Sequence, residues 1–356
     1  MQFGKGKPAP GVFIDSDFST IDSVLAVALI YGMQGKNDCR MITMSMSRAS
    51  LPAAAYLDVV ERFYHGPAGN FAQLPAIGMP DRGAPLATPA AYVTPVKRVK
   101  ADGSPAYKVQ VTRMVDTADP CTLFRNYLEA QWDGNASFVL AGPATNFVAA
   151  LDFRGIKPLI ASKLKYLVFA TGPADANIRA DVAAAKRLFA EWPTPIVVAR
   201  EDLGASLPFP GSSVDKEFAA TSPDHPVADA YRAYKPMPYD APSWAMTAAL
   251  YAGRPNAGYF KMSDPGVFSI KADGTLAFTP AADGKHQSLI FDPAQKDRIL
   301  ADYVQLASAK PVPPRRFFKK IDVDDPKADA DVKADADVKD APEAKDAADP
   351  ATAKPN

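Results

Sequence analysis

The sequence from residue 11 to residue 32, GVFIDSDFSTIDSVLAVALIYG, joins a short apolar run, a polar turn and a longer apolar run. The first run, residues 11–14, has the length and composition of a buried strand. Residues 15–20 form the polar turn, and residues 21–31 have the length of a largely buried helix that Gly32 is expected to end. Strand, polar loop and helix in this order are the opening of a βαβ unit.

The same order of segments recurs along the chain. Asp-Gly pairs at 273–274 and 283–284 predict hairpins between residues 258 and 291. Strands that alternate with helices of 10–15 residues favour an α/β fold with an open, mostly parallel twisted sheet and helices on both faces. The further strands are predicted at 40–47, 137–141, 164–170 and 194–199, and the further helices at 51–64, 145–151, 180–192 and 297–307.

Length allows one large domain or two medium ones, and composition sets an acidic tail apart. The chain has 356 residues, of which 47% are hydrophobic and 22% are charged, as in an ordinary globular protein. We predict a single domain over residues 1–320, with a loop-rich insertion around residues 66–120. Residues 321–356 contain 11 acidic and 5 basic residues and few large apolar ones, so they are expected to be disordered.

Charge and hydropathy exclude several kinds of partner. Lys and Arg total 40, as do Asp and Glu, so no excess of charge favours nucleic acid or a membrane surface. No run of about 18 apolar residues predicts a transmembrane helix. Cys39 and Cys121 are too few for a disulfide framework and are expected in the core. The expected location is cytoplasmic, and the alternative is export with a signal peptide that this chain does not contain.

Polar side chains cluster after the predicted strands. Asp15 and Asp17 follow the first strand, and Asp22 begins the first helix. Ligands of open α/β sheets bind outside the carboxyl ends of the strands. Carboxylates that converge there repel each other unless a cation shares them, and their oxygen atoms suit Ca²⁺ or Mg²⁺. Taken by itself, Asp22 is better explained as a helix cap.

Four segments resemble those of the inosine–uridine nucleoside hydrolases, in the family's order. Residues 12–28, VFIDSDFSTIDSVLAVA, are similar to the family's opening Asp-x-Asp strand end and Asp-Asp helix start. The resemblance covers roughly residues 11–305 and implies a nucleoside hydrolase-like fold related to the Rossmann fold. The other segments are VLAGPATN at 139–146, ADANIRAD at 174–181 with EWPTPI at 191–196, and PYD at 238–240 with AALYAGRP at 248–255.

The resemblance also implies an activity, in which a water activated by Ca²⁺ cleaves the N-glycosidic bond of a ribonucleoside into ribose and free base. It implies that Asp17 binds calcium and acts as the catalytic base, and that Asp240 and the carbonyl of Ala141 also bind the ion. Tyr239 stands where the family often has the histidine that protonates the leaving base. The family commonly forms homo-dimers or homo-tetramers, and its members serve purine and pyrimidine salvage.

The sugar contacts implied by the resemblance depend on how the start of the first helix is aligned. Two alignments of the helix start are open: Asp22 lies on the calcium position, or Ser23 lies there and Asp22 contacts ribose. Phe18, Tyr231 and Trp244 are candidates for stacking on the base. The residues implied to contact the substrate are Asp22, Arg48, Asn146, Asp175 and Asn177.

Departures from the family's motifs keep two other functions open. One carboxylate of the Asp-Asp pair is missing, and Tyr239 is a poor acid at an ordinary pKa near 10, so calcium binding and activity are expected to be weakened. The main alternative is a catalytically impaired relative that binds a nucleoside or a sugar. A less favoured one is a haloacid-dehalogenase-type phosphatase, because residues 13–17 (FIDSD) resemble its nucleophile motif although its late Gly-Asp-x-x-x-Asp motif is not found.

Overall fold

A seven-stranded sheet lies at the centre of the structure, a computed structural model that describes residues 7–66, 74–82, 85–86 and 90–312. Its strand order is β2-β1-β3-β4-β5-β9-β6, and β7 pairs with β8 in a separate hairpin. Neighbours in the large sheet are parallel except β6 and β9, which confirms the predicted open, mostly parallel α/β fold. The strands are β1 (Gly11–Ser16), β2 (Arg40–Met46), β3 (Ala136–Ala141), β4 (Leu164–Ala170), β5 (Ile196–Ala199), β6 (Phe260–Met262), β7 (Gly266–Ile270), β8 (Leu276–Pro280) and β9 (Gln287–Phe291).

Helices connect the strands of the sheet and cover it. Among the described residues, no helix has both the length and the apolar composition that a membrane span requires. The predicted tail at 321–356 and part of the predicted insertion lie outside the described residues. The helices are α1 (Ile21–Gly35), α2 (Leu51–His65), α3 (Pro120–Glu129), α4 (Thr145–Ala150), α5 (Ile156–Lys163), α6 (Ala176–Arg179), α7 (Val182–Glu191), α8 (Glu201–Ser206), α9 (Ala219–Thr221), α10 (Pro226–Tyr234), α11 (Trp244–Gly253) and α12 (Lys296–Ala307).

Successive side chains of the central strands enter two separate cores. Val12 and Ile14 of β1 pack with α1, α2, α11 and α12 on one face of the sheet. Phe13, between them, packs on the other face with α3, α4, α5 and α7. The two cysteines are buried on opposite faces, Cys39 in the first core and Cys121 in the second. Burial of both faces confirms that helices cover both sides of the sheet.

Helix α1 continues past its predicted end. Gly32 lies inside the helix, where a Cβ atom would be 2.0 Å from the carbonyl oxygen of Leu306 in α12. The glycine therefore permits close packing of α1 on α12, and the helix ends at Gly35 instead. The interpretation of Gly32 as a helix terminator was wrong because a glycine that serves packing and one that serves capping look alike in sequence.

The C-terminal strands confirm one predicted hairpin and correct the other. Strands β7 and β8 pair antiparallel across the turn at Asp273 and Gly274. Residues 283–284 instead lie in the connection from β8 to β9. Strand β9 does not belong to the hairpin and pairs parallel with β5. Strand β6 then pairs antiparallel with β9. The pairing of β9 with β5 joins segments about 90 residues apart, which a local turn signal does not reveal.

Candidate functional site

A pocket of about 180 Å³ lies at the carboxyl edge of the sheet, where the loops after β1, β2, β3 and β4 meet the start of α11. This is the edge at which open α/β sheets bind ligands. The structure brings five of the predicted site residues into its lining, namely Asp17, Asp22, Arg48, Ala141 and Asn177. The remaining lining residues are Ser19, Thr20, Ser23, Ala170, Gly172, Pro173, Ala176, Ala180, Trp244 and Ala245.

The turn after β1 presents Asp17 to the pocket. Phe18 adopts the left-handed backbone region, with φ at 49°, and its ring is fully buried. Its N–H donates to the hydroxyl of Ser16 at 3.1 Å, and its carbonyl accepts from the hydroxyl of Tyr92. The carboxylate of Asp17 makes one hydrogen bond among the described residues, accepting from the N–H of Ser19 at 3.0 Å. The turn is therefore fixed at its backbone, and Asp17 lines the pocket.

Gly142 brings the loop after β3 against the turn that carries Asp17. A Cβ atom at this position would lie 2.0 Å from Oγ of Ser47 and 2.6 Å from the backbone nitrogen of Asp17. Neither distance is possible without a shift of the neighbouring atoms. A residue without a side chain is therefore required here for the pocket to keep its shape.

Asp22 reaches from α1 to the start of α11. Its Oδ2 accepts from the N–H of Ala245 at 2.6 Å, and its Oδ1 accepts from the N–H of Met246 at 3.1 Å. The N-cap residue of α11, Ser243, makes no side-chain capping hydrogen bond, so Asp22 replaces it as the cap. Burial raises the pKa of Asp22 to about 7, because its effect is larger than that of the hydrogen bonds from α11, which lower the pKa.

Ser16 connects Ser23 to the end of β3 through two hydrogen bonds. The hydroxyl of Ser16 donates to the carbonyl of Ala141 at 3.0 Å and lies 2.8 Å from Oγ of Ser23, which is then the donor of that second contact. Ser23 is therefore linked through Ser16 to the carbonyl that was implied to bind calcium. Asp22 and Ser23 both line the pocket, so both alignments of the helix start stay open.

Asp15 lies behind the pocket and does not line it. It is 1% exposed, and its Oδ2 accepts from Nδ2 of Asn146 at 2.8 Å and from the hydroxyl of Ser45. Burial raises its pKa to about 7, with a smaller contribution from Asp17. Asn146 therefore positions Asp15, and its implied contact with a sugar is not supported. The phosphatase alternative fails here too, because its nucleophile would be the inaccessible Asp15.

Trp244, the first residue of α11, forms part of the pocket wall. Its Nε1 donates to the carbonyl of Glu201 at 3.1 Å, and a Cβ atom on Gly204 would lie 2.4 Å from its Cδ1. The indole is thus held between the hydrogen bond and the glycine backbone. Of the three aromatic residues considered for stacking, Phe18 and Tyr231 are fully buried, and Trp244 lines the pocket.

The loop after β4 contributes Asn177 and not Asp175. Asn177 lines the pocket, and its Nδ2 donates to the carbonyl of Ala170 at 2.8 Å. Ala174 and Asp175 both adopt left-handed backbone conformations, with φ at 50° and 53°. This turn leaves Asp175 outside the lining, so the implied sugar contact of Asp175 is corrected.

Asp240 and Tyr239 do not reach the pocket, contrary to prediction. Asp240 is exposed, and its Oδ1 accepts from the N–H of Gly211 at 2.8 Å. Tyr239 stacks on Tyr231 with ring centroids 4.4 Å apart and donates its hydroxyl to the carbonyl of Tyr231 at 2.7 Å. Burial raises the pKa of Tyr239 above its ordinary value. A hydroxyl that is already bonded, hard to ionise and outside the pocket cannot protonate a leaving base there.

Sequence reasoning missed Ser19 and Thr20, which also line the pocket. They follow Asp17 in the same polar turn, so their position in a loop at the carboxyl edge was the signal that could have found them. Both supply hydroxyl groups that donate and accept hydrogen bonds.

No protein-family model matches the chain, and no curated protein sequence matches it either. Solved structures do match over most of the chain. A plant nucleoside hydrolase aligns with a TM-score of 0.61 and 16% identity, covering 85% of this chain and 100% of its own. The chain has the nucleoside hydrolase fold. The sequence resemblance is thereby confirmed at the level of the fold.

Two further solved structures match equally well. The inosine-uridine preferring nucleoside hydrolase from Bacillus anthracis has a TM-score of 0.60 and 15% identity, covering 84% of this chain and 99% of its own. The type III effector protein XopQ, complexed with adenosine diphosphate ribose, has a TM-score of 0.60 and 12% identity, covering 85% and 95%. At these identities the likeness establishes the fold.

The donors present at this edge of the nucleoside hydrolase fold do not fit a calcium ion. Calcium takes about 6–8 oxygen ligands. Both carboxylate oxygens of Asp22 accept from α11, the carbonyl of Ala141 accepts from Ser16, and Asp240 lies elsewhere. Asp17 is the one carboxylate of the implied set that faces the pocket with an oxygen to spare. Within the described ranges, no three His, Cys, Asp or Glu side chains are arranged to hold a metal ion.

Proposed function

We propose that the protein binds an N-ribosyl compound, a nucleoside or a derivative of one, in this pocket without a calcium ion, and that binding rather than rapid hydrolysis is its function. One observation carries the proposal: the oxygens implied to hold calcium are bonded within the protein, above all the two of Asp22. A metal ion would have to share these oxygens with the first amides of α11, and with Asp240 outside the lining it would have too few oxygen ligands for the about 6–8 that calcium takes.

The composition of the pocket suits a pentose. Asp17, Thr20 and Asn177 bring carboxylate, hydroxyl and amide groups to the lining, and such groups bind sugar hydroxyls. Trp244 adds an aromatic surface. At about 180 Å³, the pocket is smaller than the roughly 300–1,000 Å³ of sites for drug-sized ligands, so it holds a sugar-sized group. Two structural neighbours support the class, one described as inosine-uridine preferring and one as complexed with adenosine diphosphate ribose.

A second candidate function, hydrolysis of the N-glycosidic bond, is favoured by Asp17. Its carboxylate lines the pocket with one hydrogen bond to the protein, so it can take a proton from a water that attacks the anomeric carbon. The bond from that carbon to the base then breaks, and its electron pair leaves with the base. The pocket lining contains no His, Lys or Tyr to protonate the base, and both oxygens of Asp22 accept from α11, so we expect the base to leave slowly.

Asp17 separates the two candidates. We expect calorimetry to show that the wild type binds ribonucleosides, while chromatography shows base release far slower than the about 1–10³ s⁻¹ of ordinary enzymes. Asp17→Asn should abolish the residual release, because an amide cannot accept the proton, and should leave the fold unchanged. Asp175→Asn is the matched control, since Asp175 lies outside the lining.

Release at an ordinary enzymatic rate that depends on Asp17 would overturn the binding proposal in favour of hydrolysis. If no compound in a panel of ribonucleosides and free ribose binds to the wild type, both candidates are wrong.

A further inference from the structure

Arg48 is a cation in the pocket lining with no partner among the described residues. It follows β2 by two positions, is half-buried and lines the pocket. Among the described residues, Arg48 makes no hydrogen bond, ion pair or ring contact. A half-buried guanidinium usually has an anionic or carbonyl partner, because its planar group carries five donors and never loses its charge. The geometry therefore leaves a cation available to a ligand.

The start of α2 lies three positions after Arg48 in the sequence. This helix is 15 residues long, begins at Leu51 and has no acidic residue in its first turn. The positive end of its dipole is therefore not compensated by a side chain of its own first turn. Ser50, the N-cap, accepts from the N–H of Ala53 at 3.4 Å and carries no charge. Both features lie on the loop after β2, at the edge where ligands of this fold type bind.

We infer that the ligand carries a phosphate group and that Arg48 binds it, so that the ligand class is a phosphorylated N-ribosyl compound such as a nucleoside 5′-phosphate or diphosphate. The inference rests on the proposed binding of an N-ribosyl compound and specifies it. A guanidinium binds phosphate with two parallel hydrogen bonds, which a neutral nucleoside cannot accept. Asp17 lies in the same lining and would repel a phosphate, so the phosphate should bind at Arg48 and away from Asp17.

Calorimetry with adenosine, adenosine 5′-monophosphate and inorganic phosphate tests this inference. We expect the wild type to bind the monophosphate about 10-fold to 100-fold more tightly than adenosine, the range that one charged hydrogen-bonding pair supplies. Arg48→Gln should remove this difference, so that adenosine and its monophosphate bind the variant with similar affinity. Arg48→Lys should retain part of it, because a lysine keeps the charge without the planar donors. Inorganic phosphate should bind weakly, since it makes none of the sugar contacts.

Arg154→Gln, a change of the same charge at an exposed position outside the lining, should leave all affinities unchanged. Equal binding of adenosine and its monophosphate to the wild type, or an equal loss of monophosphate affinity in Arg48→Gln and Arg154→Gln, would overturn the inference. Either result would leave the proposed function intact as long as adenosine binds. If neither adenosine nor the monophosphate binds, the proposed function fails together with the inference.

Discussion

Asp22→Ala is expected to lower the free energy of unfolding by about 2–5 kcal/mol, a large fraction of the stability of an ordinary domain. Asp22 is 3% exposed, and its carboxylate accepts from the first amides of α11 at Ala245 and Met246. Alanine would leave both amides buried without an acceptor, at about 1–3 kcal/mol each. Helix α11 packs on α1, β3 and β4, so water cannot reach its first turn without disturbing the core. Urea unfolding measures the loss.

Two variants control this prediction. Asp22→Asn keeps one acceptor oxygen and should lose only about 1 kcal/mol. Asp202→Ala removes an exposed aspartate from the first turn of α8 and should change stability by less than about 0.5 kcal/mol. A loss in Asp22→Ala no larger than that in Asp202→Ala would show that Asp22 does not cap α11.

The same carboxyl should make stability depend on pH. Because burial raises the pKa of Asp22 to about 7 from 3.8, the folded protein holds this proton more tightly than the unfolded chain. The contribution is fully present below about pH 4 and is lost as the pH rises to about 7, so the unfolding free energy should fall across this window. Asp22→Asn should show a smaller fall over the same window, measured by urea unfolding at several pH values. An identical pH dependence in wild type and Asp22→Asn would contradict the raised pKa.

Gly142→Ala should disrupt the pocket itself. The added Cβ would meet Oγ of Ser47 at 2.0 Å and the backbone nitrogen of Asp17 at 2.6 Å. Overpacking of this kind costs about 1–3 kcal/mol, and movement of the turn at Asp17 should weaken ligand binding at least about 10-fold, since misplacement of about 1 Å in a site costs this much or more. Calorimetry and urea unfolding measure the two effects.

Ser47→Ala provides a matched control for Gly142→Ala. Among the described residues, the buried hydroxyl of Ser47 makes no well-formed hydrogen bond and acts on Asp15 only by lowering its pKa against the effect of burial, so its removal should change stability little. In the double variant, the contact with Ser47 is relieved and the contact with the backbone of Asp17 persists. Stability should recover in part while binding stays weak. Normal binding by Gly142→Ala would show that the two loops are not closely packed.

Much of the fold could be predicted because residues close together in the sequence specify each strand and helix. Residues 11–31 place an apolar strand, a polar turn and an apolar helix in one continuous stretch, and the structure forms β1 and α1 there. The return of β9 to the sheet beside β5 could not be predicted, because that pairing is non-local. Gly32 was misinterpreted for the same reason, since its role depends on Leu306 in a distant helix.

The candidate site could be predicted only in part. Residues that directly follow strands, such as Asp17, Arg48 and Asn177, do line the pocket, because the ends of parallel strands share one edge. Asp240 and Tyr239 were placed by motif order, which says nothing about side-chain direction, and both turn toward the chain around Gly211 and Tyr231.

Calcium titration of the purified protein, with and without a bound ribonucleoside, tests the central claim most directly. We predict no stoichiometric calcium binding up to about 10⁻³ M, the weak limit for protein calcium sites, and the same ribonucleoside affinity in calcium and in a chelator. Stoichiometric binding at micromolar calcium, or loss of ribonucleoside binding in the chelator, would contradict the claim that the protein's own hydrogen bonds have replaced the metal.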